Sequence, residues 1–149
     1  HSYGGMVITG AADQVPERIH HLFYVDAFLP DSGESVALLT KGSFDSFIAQ
    51  NTVAGMIQAP WESPTRPVPK DVPQPLKTFT DTLVLVNRTA RRLAASYILT
   101  MDKGATEDQF SSFAARAANR GWLVYRLEAN HTPERSAVPE LAALLRRVP

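Results

Sequence analysis

The chain has 149 residues, with 15 Lys plus Arg against 15 Asp plus Glu and no cysteine. That length carries one domain with a core of its own. Balanced charge removes the electrostatic case for nucleic acid or an anionic membrane as partner, and the lack of thiols excludes disulfide frameworks and thiolate metal sites.

The chain opens on His1-Ser2-Tyr3-Gly4-Gly5-Met6. A serine between a histidine and an aromatic residue, followed by two glycines, is most of a nucleophile elbow, G-x-S-x-G, with Gly4 as its second small residue. Such a turn is strained, so its neighbours are small, and the helix behind it aims backbone N–H groups at the serine oxygen. The Tyr3 N–H is the first of these donors. Tyr3 to Val15 reads as a helix of small apolar residues buried all round against a sheet, ended by Pro16. His21 to about Ala27 reads as a buried parallel strand. His20 and His21 sit at its entry, with a metal pair as the minor alternative.

From Phe28 to about Gln74 the pattern loosens. Ser43 to Ile57 carries apolar residues at spacings that suit short helices. Pro60, Pro64, Pro67, Pro69, Pro73 and Pro75 then gather around Trp61, a composition that favours an extended crossing. We read this stretch as an insertion over a site. Beyond it, Leu76, Phe79, Leu83 and Val86 recur near helical period. Ala95 to Thr100 forms a second strand that ends in the loop Met101-Asp102-Lys103-Gly104. Thr106 to Gln109 has the form of a capping box ahead of the stripe Phe110, Phe113, Ala114 and Ala117. Gly121 suits the position past that helix. Trp122 to Leu127 is a third strand and Glu128 to Pro133 its exit loop. A last helix from about Pro139 to Val148 presents Leu141, Leu144, Leu145 and Val148 on one face.

Strands alternating with helices predict an α/β fold with a parallel sheet and right-handed crossovers. Working residues in such sheets lie at the C-terminal strand ends. Asp26, Asp102 and His131 all do. A serine nucleophile needs a base, and the base needs an orienting carboxylate. His131 is the histidine at the right end of its strand, and Asp102 is the preferred acid, with Asp26 as its rival.

These residues resemble the α/β-hydrolase superfamily, and more narrowly its small esterase and hydroxynitrile lyase-like branch. The resemblance rests on His-Ser-Tyr-Gly-Gly-Met at 1–6, Tyr-Val-Asp-Ala-Phe-Leu-Pro-Asp at 24–31, Ile-Leu-Thr-Met-Asp-Lys at 98–103 and Asn-His-Thr-Pro at 130–133. It implies the C-terminal part of an α/β-hydrolase fold, a parallel sheet of about three strands with flanking helices and a cap insertion. The parts would be an elbow helix and strand over 1–27, a cap over 28–74, and strands and helices carrying acid and base over 75–149. By the same resemblance Ser2 is the nucleophile, His131 the general base and acid, Asp102 the orienting acid and the Tyr3 N–H half of the oxyanion hole. Phe28 and Trp61 would line a pocket for a small, largely apolar ester, with no cofactor or metal. The family's lyases carry a lysine after the catalytic histidine. Thr132 stands there in this chain and argues for ester hydrolysis.

The sequence lacks the glycine before His1, the strand that leads into the serine and the upstream His-Gly loop with its second oxyanion donor. The expectation is therefore an incomplete hydrolase, a poor catalyst on its own, and cytoplasmic. The competing reading is a non-catalytic small-molecule binding protein on the same fold.

Overall fold

The computed structural model describes residues 1–63 and 65–147. In chain order its elements are α1 (Gly4–Gln14), a 3₁₀ turn (Pro16–Arg18), β1 (His21–Val25), α2 (Val36–Leu39), α3 (Asp45–Asn51), β2 (Thr52–Val53), β3 (Met56–Ile57), β4 (Gln74–Pro75), α4 (Lys77–Thr80), a second 3₁₀ turn (Ala90–Arg92), β5 (Ala94–Met101), α5 (Ser111–Asn119), β6 (Leu123–Glu128), α6 (Pro133–Ser136) and α7 (Val138–Leu145). They divide into two units, His1–Pro30 with Leu85–Pro149, and Asp31–Val84.

The first unit is built on a three-stranded sheet in the order β1-β5-β6, parallel throughout. β5 is central, and six consecutive residues, Ala95 to Thr100, are buried. A strand covered on both faces needs such an unbroken run rather than alternation. On one face Ile98 and Leu127 pack with Ala137 and Leu144 from the C-terminal helices, and Phe23, Val25, Tyr125 and Leu141 close the cluster. Burying side chains of this size stabilises the fold by about 1.5–3 kcal/mol each. Phe113, Ala114 and Ala117 of α5 are buried. Arg116 and Arg120 from the same helix donate to the carbonyls of Leu29 and Pro30 at 2.9 and 3.2 Å. They thereby fix the segment that leaves β1.

In the second unit Ser35 caps α2 by accepting the Leu38 N–H at 3.3 Å. β2, β3 and β4 form a small antiparallel sheet. Among the described residues of this unit, Val36 of α2 and Ile57 of β3 are the buried apolar ones, and Phe79 meets Phe44 edge to face.

Several local expectations are corrected. α1 is one-sided: Gly5, Met6 and Ala12 are buried, whereas Val7 is exposed. The helical period over Leu76 to Val86 yields one turn, Lys77–Thr80, with Asp81 already extended. The cap of α5 lies two residues beyond the expected box: Asp108 N–H donates to Ser111 Oγ and Phe110 N–H to Asp108 Oδ1, both at 2.8 Å. Pro133 and Pro139 each seat a helix start, so the C-terminal stretch forms two helices. Gly121, at φ 77°, does follow α5 as expected. Pro64 and Val148 lie outside the described residues.

Candidate active site

Ser2 sits where the chain turns into α1, with φ of 52°. Its N–H donates to the Val25 and Asp26 carbonyls at 3.3 and 3.2 Å, and its carbonyl accepts from Phe28 N–H at 3.2 Å. It therefore pairs in parallel with Ala27, beyond the end of β1. The glycine that this turn requires is Gly5. A Cβ there would meet the Phe28 carbonyl oxygen at 1.9 Å, whereas at Gly4 nothing lies within 4 Å. The small residue expected at Gly4 is thus sterically required one place later.

His131 lies in the loop after β6, its side chain 36% exposed. Its Nε2 is 3.1 Å from Ser2 Oγ, and its Nδ1 is 2.6 Å from Asp26 Oδ2. With Asp26 ionised, Nδ1 must carry the ring proton, because a carboxylate only accepts. Nε2 of the neutral ring then accepts from the serine hydroxyl. The ring is held on further sides. Phe110 stacks on it with centroids 5.0 Å apart and planes 4° from parallel. The His1 ring lies at 4.5 Å, and His1 Nε2–H donates to the His131 carbonyl.

The carboxylate that the structure brings to His131 is Asp26 and not Asp102, the residue preferred from the sequence. Val25 pairs with Ile98, so Asp26 is level with Leu99, and Asp102 follows three residues later, about 10 Å further along the strand direction. There Asp102 is exposed, and its carbonyl closes a turn with Ala105 N–H at 2.9 Å. Asp26 is fully buried, holds φ 44° and also accepts Thr100 N–H on Oδ1 at 3.1 Å. Burial pushes its carboxyl above the ordinary range, while the hydrogen bonds from His131 and Thr100 pull it back in part.

Tyr3 follows Ser2 at the start of α1, where a backbone donor was expected. Phe28 is 6% exposed, and its ring meets Phe110 and Phe113 edge-on at 5.3 and 5.5 Å. It supports Phe110, the residue that stacks on His131. Trp61 belongs to the second unit. It is 65% exposed, stacks on Phe47 and donates from Nε1 to Asp71. His21 bonds Ser96 Oγ at 3.0 Å, and among the described residues no group of three or more His, Cys, Asp or Glu is placed to hold a metal ion. The roles of His1 and Phe110 were missed in the sequence, where no spacing links either ring to His131.

No family model matches the chain. It is 29% identical over 151 residues to the carbendazim hydrolyzing esterase of Nocardioides sp. (strain SG-4G), a match that takes in 88% of this chain and 62% of that protein. The chain thus spans less than two thirds of the length of this curated relative. It is similar to the structure of an extracellular alpha/beta-hydrolase from a Paenibacillus species, described as sharing structural and functional homology with tobacco salicylic acid binding protein 2. The TM-score is 0.72 at 22% identity, over 97% of this chain and 68% of that one. A pyrethroid hydrolase superposes with a TM-score of 0.71 at 20% identity, over 98% and 66% of the two chains. A methylesterase from Arabidopsis does so with 0.61 at 18%, over 98% and 66%. With its three parallel strands and its serine turn packed beside β1, the chain shares the α/β-hydrolase fold of these proteins.

Proposed function

We propose that the chain carries the catalytic relay of a serine-dependent carboxylic ester hydrolase, with Ser2 as nucleophile, His131 as general base and acid, and Asp26 as orienting acid. The observation that carries this reading is the single imidazole that touches Ser2 Oγ through Nε2 and a buried carboxylate through Nδ1. Ser2 Oγ attacks the ester carbonyl as its proton passes to Nε2. Asp26 holds the ring in the tautomer that can accept that proton and stabilises the imidazolium that results. The Tyr3 N–H, next to the nucleophile at the head of α1, is assigned to the developing oxyanion. His131 then returns the proton to the leaving alcohol. In the second half-reaction it takes a proton from water, which attacks the acyl-serine, and returns that proton to Ser2 Oγ as the intermediate collapses to the acid and the free serine.

The likeness to the carbendazim hydrolyzing esterase and the shared fold with a pyrethroid hydrolase and a methylesterase support a small, largely apolar ester as substrate. A binding protein on the same scaffold is the second reading, favoured by the stated homology of the Paenibacillus hydrolase to a salicylic acid binding protein. Turnover of p-nitrophenyl butyrate and labelling by a fluorophosphonate decide between them. Hydrolysis and labelling at Ser2 that both vanish in Ser2→Ala support the hydrolase. Equal rates in the two proteins, with no adduct at Ser2, would overturn it.

A further inference from the structure

β1 leaves its ladder at Asp26. The Asp26 N–H still reaches the Ile98 carbonyl at 2.8 Å, but its φ of 44° swings the next residue out of register with β5. Ala27 is completely buried. Its pairing with Ser2 runs through the Asp26 carbonyl and the Phe28 N–H, so it leaves Ala27's own N–H and C=O unused. Buried peptide groups need partners, and here one side-chain atom serves both. Tyr97 Oη accepts the Ala27 N–H at 3.0 Å and donates to the Ala27 carbonyl at 2.7 Å. Tyr97 is itself fully buried on the central strand, its ring parallel to that of Tyr24. Burial holds its hydroxyl protonated far above the ordinary tyrosine range, as a donor must be. Ala27 is thus held by Ser2 on one flank and by Tyr97 on the other, and it directly follows the acid.

We propose that Tyr97 is a positioning residue of the site, whose hydroxyl fixes the turn that aims Asp26 at His131. The proposal rests on the reading of Ser2, His131 and Asp26 as a hydrolytic relay. Tyr97→Phe keeps the ring and removes both bonds. Small misplacement of a relay is expected to cost about 10- to 100-fold in kcat, with KM within about twofold. A double-mutant cycle separates positioning from mere stability. If Tyr97 acts through Asp26, its effect on kcat largely disappears in an Asp26→Asn background, while its effect on Tm persists. Equal fold losses in both backgrounds, or an unchanged kcat, would overturn the proposal.

Proton NMR supplies a readout that does not need turnover. The far-downfield resonance of the His131 Nδ1–H bonded to a carboxylate is expected in the wild type and is expected to be lost or shifted in Tyr97→Phe. An unshifted resonance counts against Tyr97 whatever becomes of the esterase reading. Should the variant not fold, amide exchange at Ala27 in the wild type still decides. Strong protection agrees with the proposal, and exchange at the rate of an open amide refutes it.

Discussion

Ser2 and Asp26 are joined main chain to main chain, the Ser2 N–H donating to the Asp26 carbonyl at 3.2 Å, and both hold positive φ, 52° and 44°. Neither is glycine, and a left-handed backbone costs an L-residue about 1–2 kcal/mol. Aspartate bears it better than most. Two strained residues that brace each other, with a histidine bridging their side chains, are the kind of local cost that collects at working sites. The strain also gives each side chain its direction, because both turns lift the residue out of regular structure at the sheet's C-terminal edge.

The first prediction concerns the acid. Asp26→Asn is expected to leave the fold intact and lower kcat for p-nitrophenyl esters by on the order of 10⁴, as a wrong tautomer does in serine proteases. Asp102→Asn is expected to change kcat by less than about twofold, since that side chain is exposed and His131 Nδ1 is bonded to Asp26 instead. Paired steady-state kinetics check this, and a reversed pattern would return the acid to Asp102.

The second concerns pH and stability. Asp26 has its carboxyl raised above the ordinary 3.8, chiefly by burial. In the window between 3.8 and that raised value the folded chain holds more protons than the unfolded one. Stability from this group is therefore full below the window, falls as pH rises through it and stays lower above. Asp26→Asn removes that slope. The Tm of the variant minus that of the wild type is expected to grow as pH rises from below 3.8 and then level off. A difference that shrinks instead would mean that the hydrogen bonds from His131 and Thr100 outweigh the desolvation.

These two tests bear on what could be read in the sequence. The strands around Tyr24, Ile98 and Val124 announce themselves as apolar, β-branched and aromatic runs, and Ser2 and His131 follow from residue type and chain order. The acid does not. Asp26 and Asp102 both end a strand, and Asp26 meets His131 from a left-handed turn at a non-glycine residue. Such a turn leaves no periodic trace. The cap of α5 was obscured for a similar reason: Thr106 and Gln109 have the right spacing, but Asp108 and Ser111 make the bonds. Phe110 has the spacing of a core residue, and it is one. Its second face, against His131, comes from the tertiary fold alone.

The third prediction follows from that face. Phe110→Leu keeps an apolar side chain behind His131 but loses the parallel stack. Aromatic pairs contribute about 0.5–1.5 kcal/mol beyond their area, so a loss of about two- to tenfold in kcat is expected, with KM little changed. Phe110→Tyr is expected to restore most of it. If Phe110→Leu matched the wild type in kcat, the stack would be packing only.

The last prediction separates the two glycines of the opening turn. At Gly5 an added Cβ would lie 1.9 Å from the Phe28 carbonyl oxygen and 3.2 Å from the Ala27 Cβ. The first contact is with main chain, so no rotamer change relieves it, and α1 must back away from the exit of β1. That exit carries Asp26, pairs with Ser2 through Ala27 and is held by Tyr97. Movement there would disturb Ser2 and Asp26 together. Overpacking of this kind typically costs about 1–3 kcal/mol and more where the backbone must shift. Gly5→Ala is therefore expected to lower the unfolding midpoint in urea and to cut kcat by more than tenfold in the protein that remains folded. Gly4, with nothing within 4 Å of an added Cβ, is the control. Gly4→Ala is expected to match or slightly exceed the wild type in stability, since alanine is the better helix former by about 1 kcal/mol. Urea titrations of the two variants with active-site titration of the folded fraction check both halves, and a Gly5→Ala protein that unfolds and turns over like Gly4→Ala would show that the close approach of α1 to Phe28 is not needed for the site.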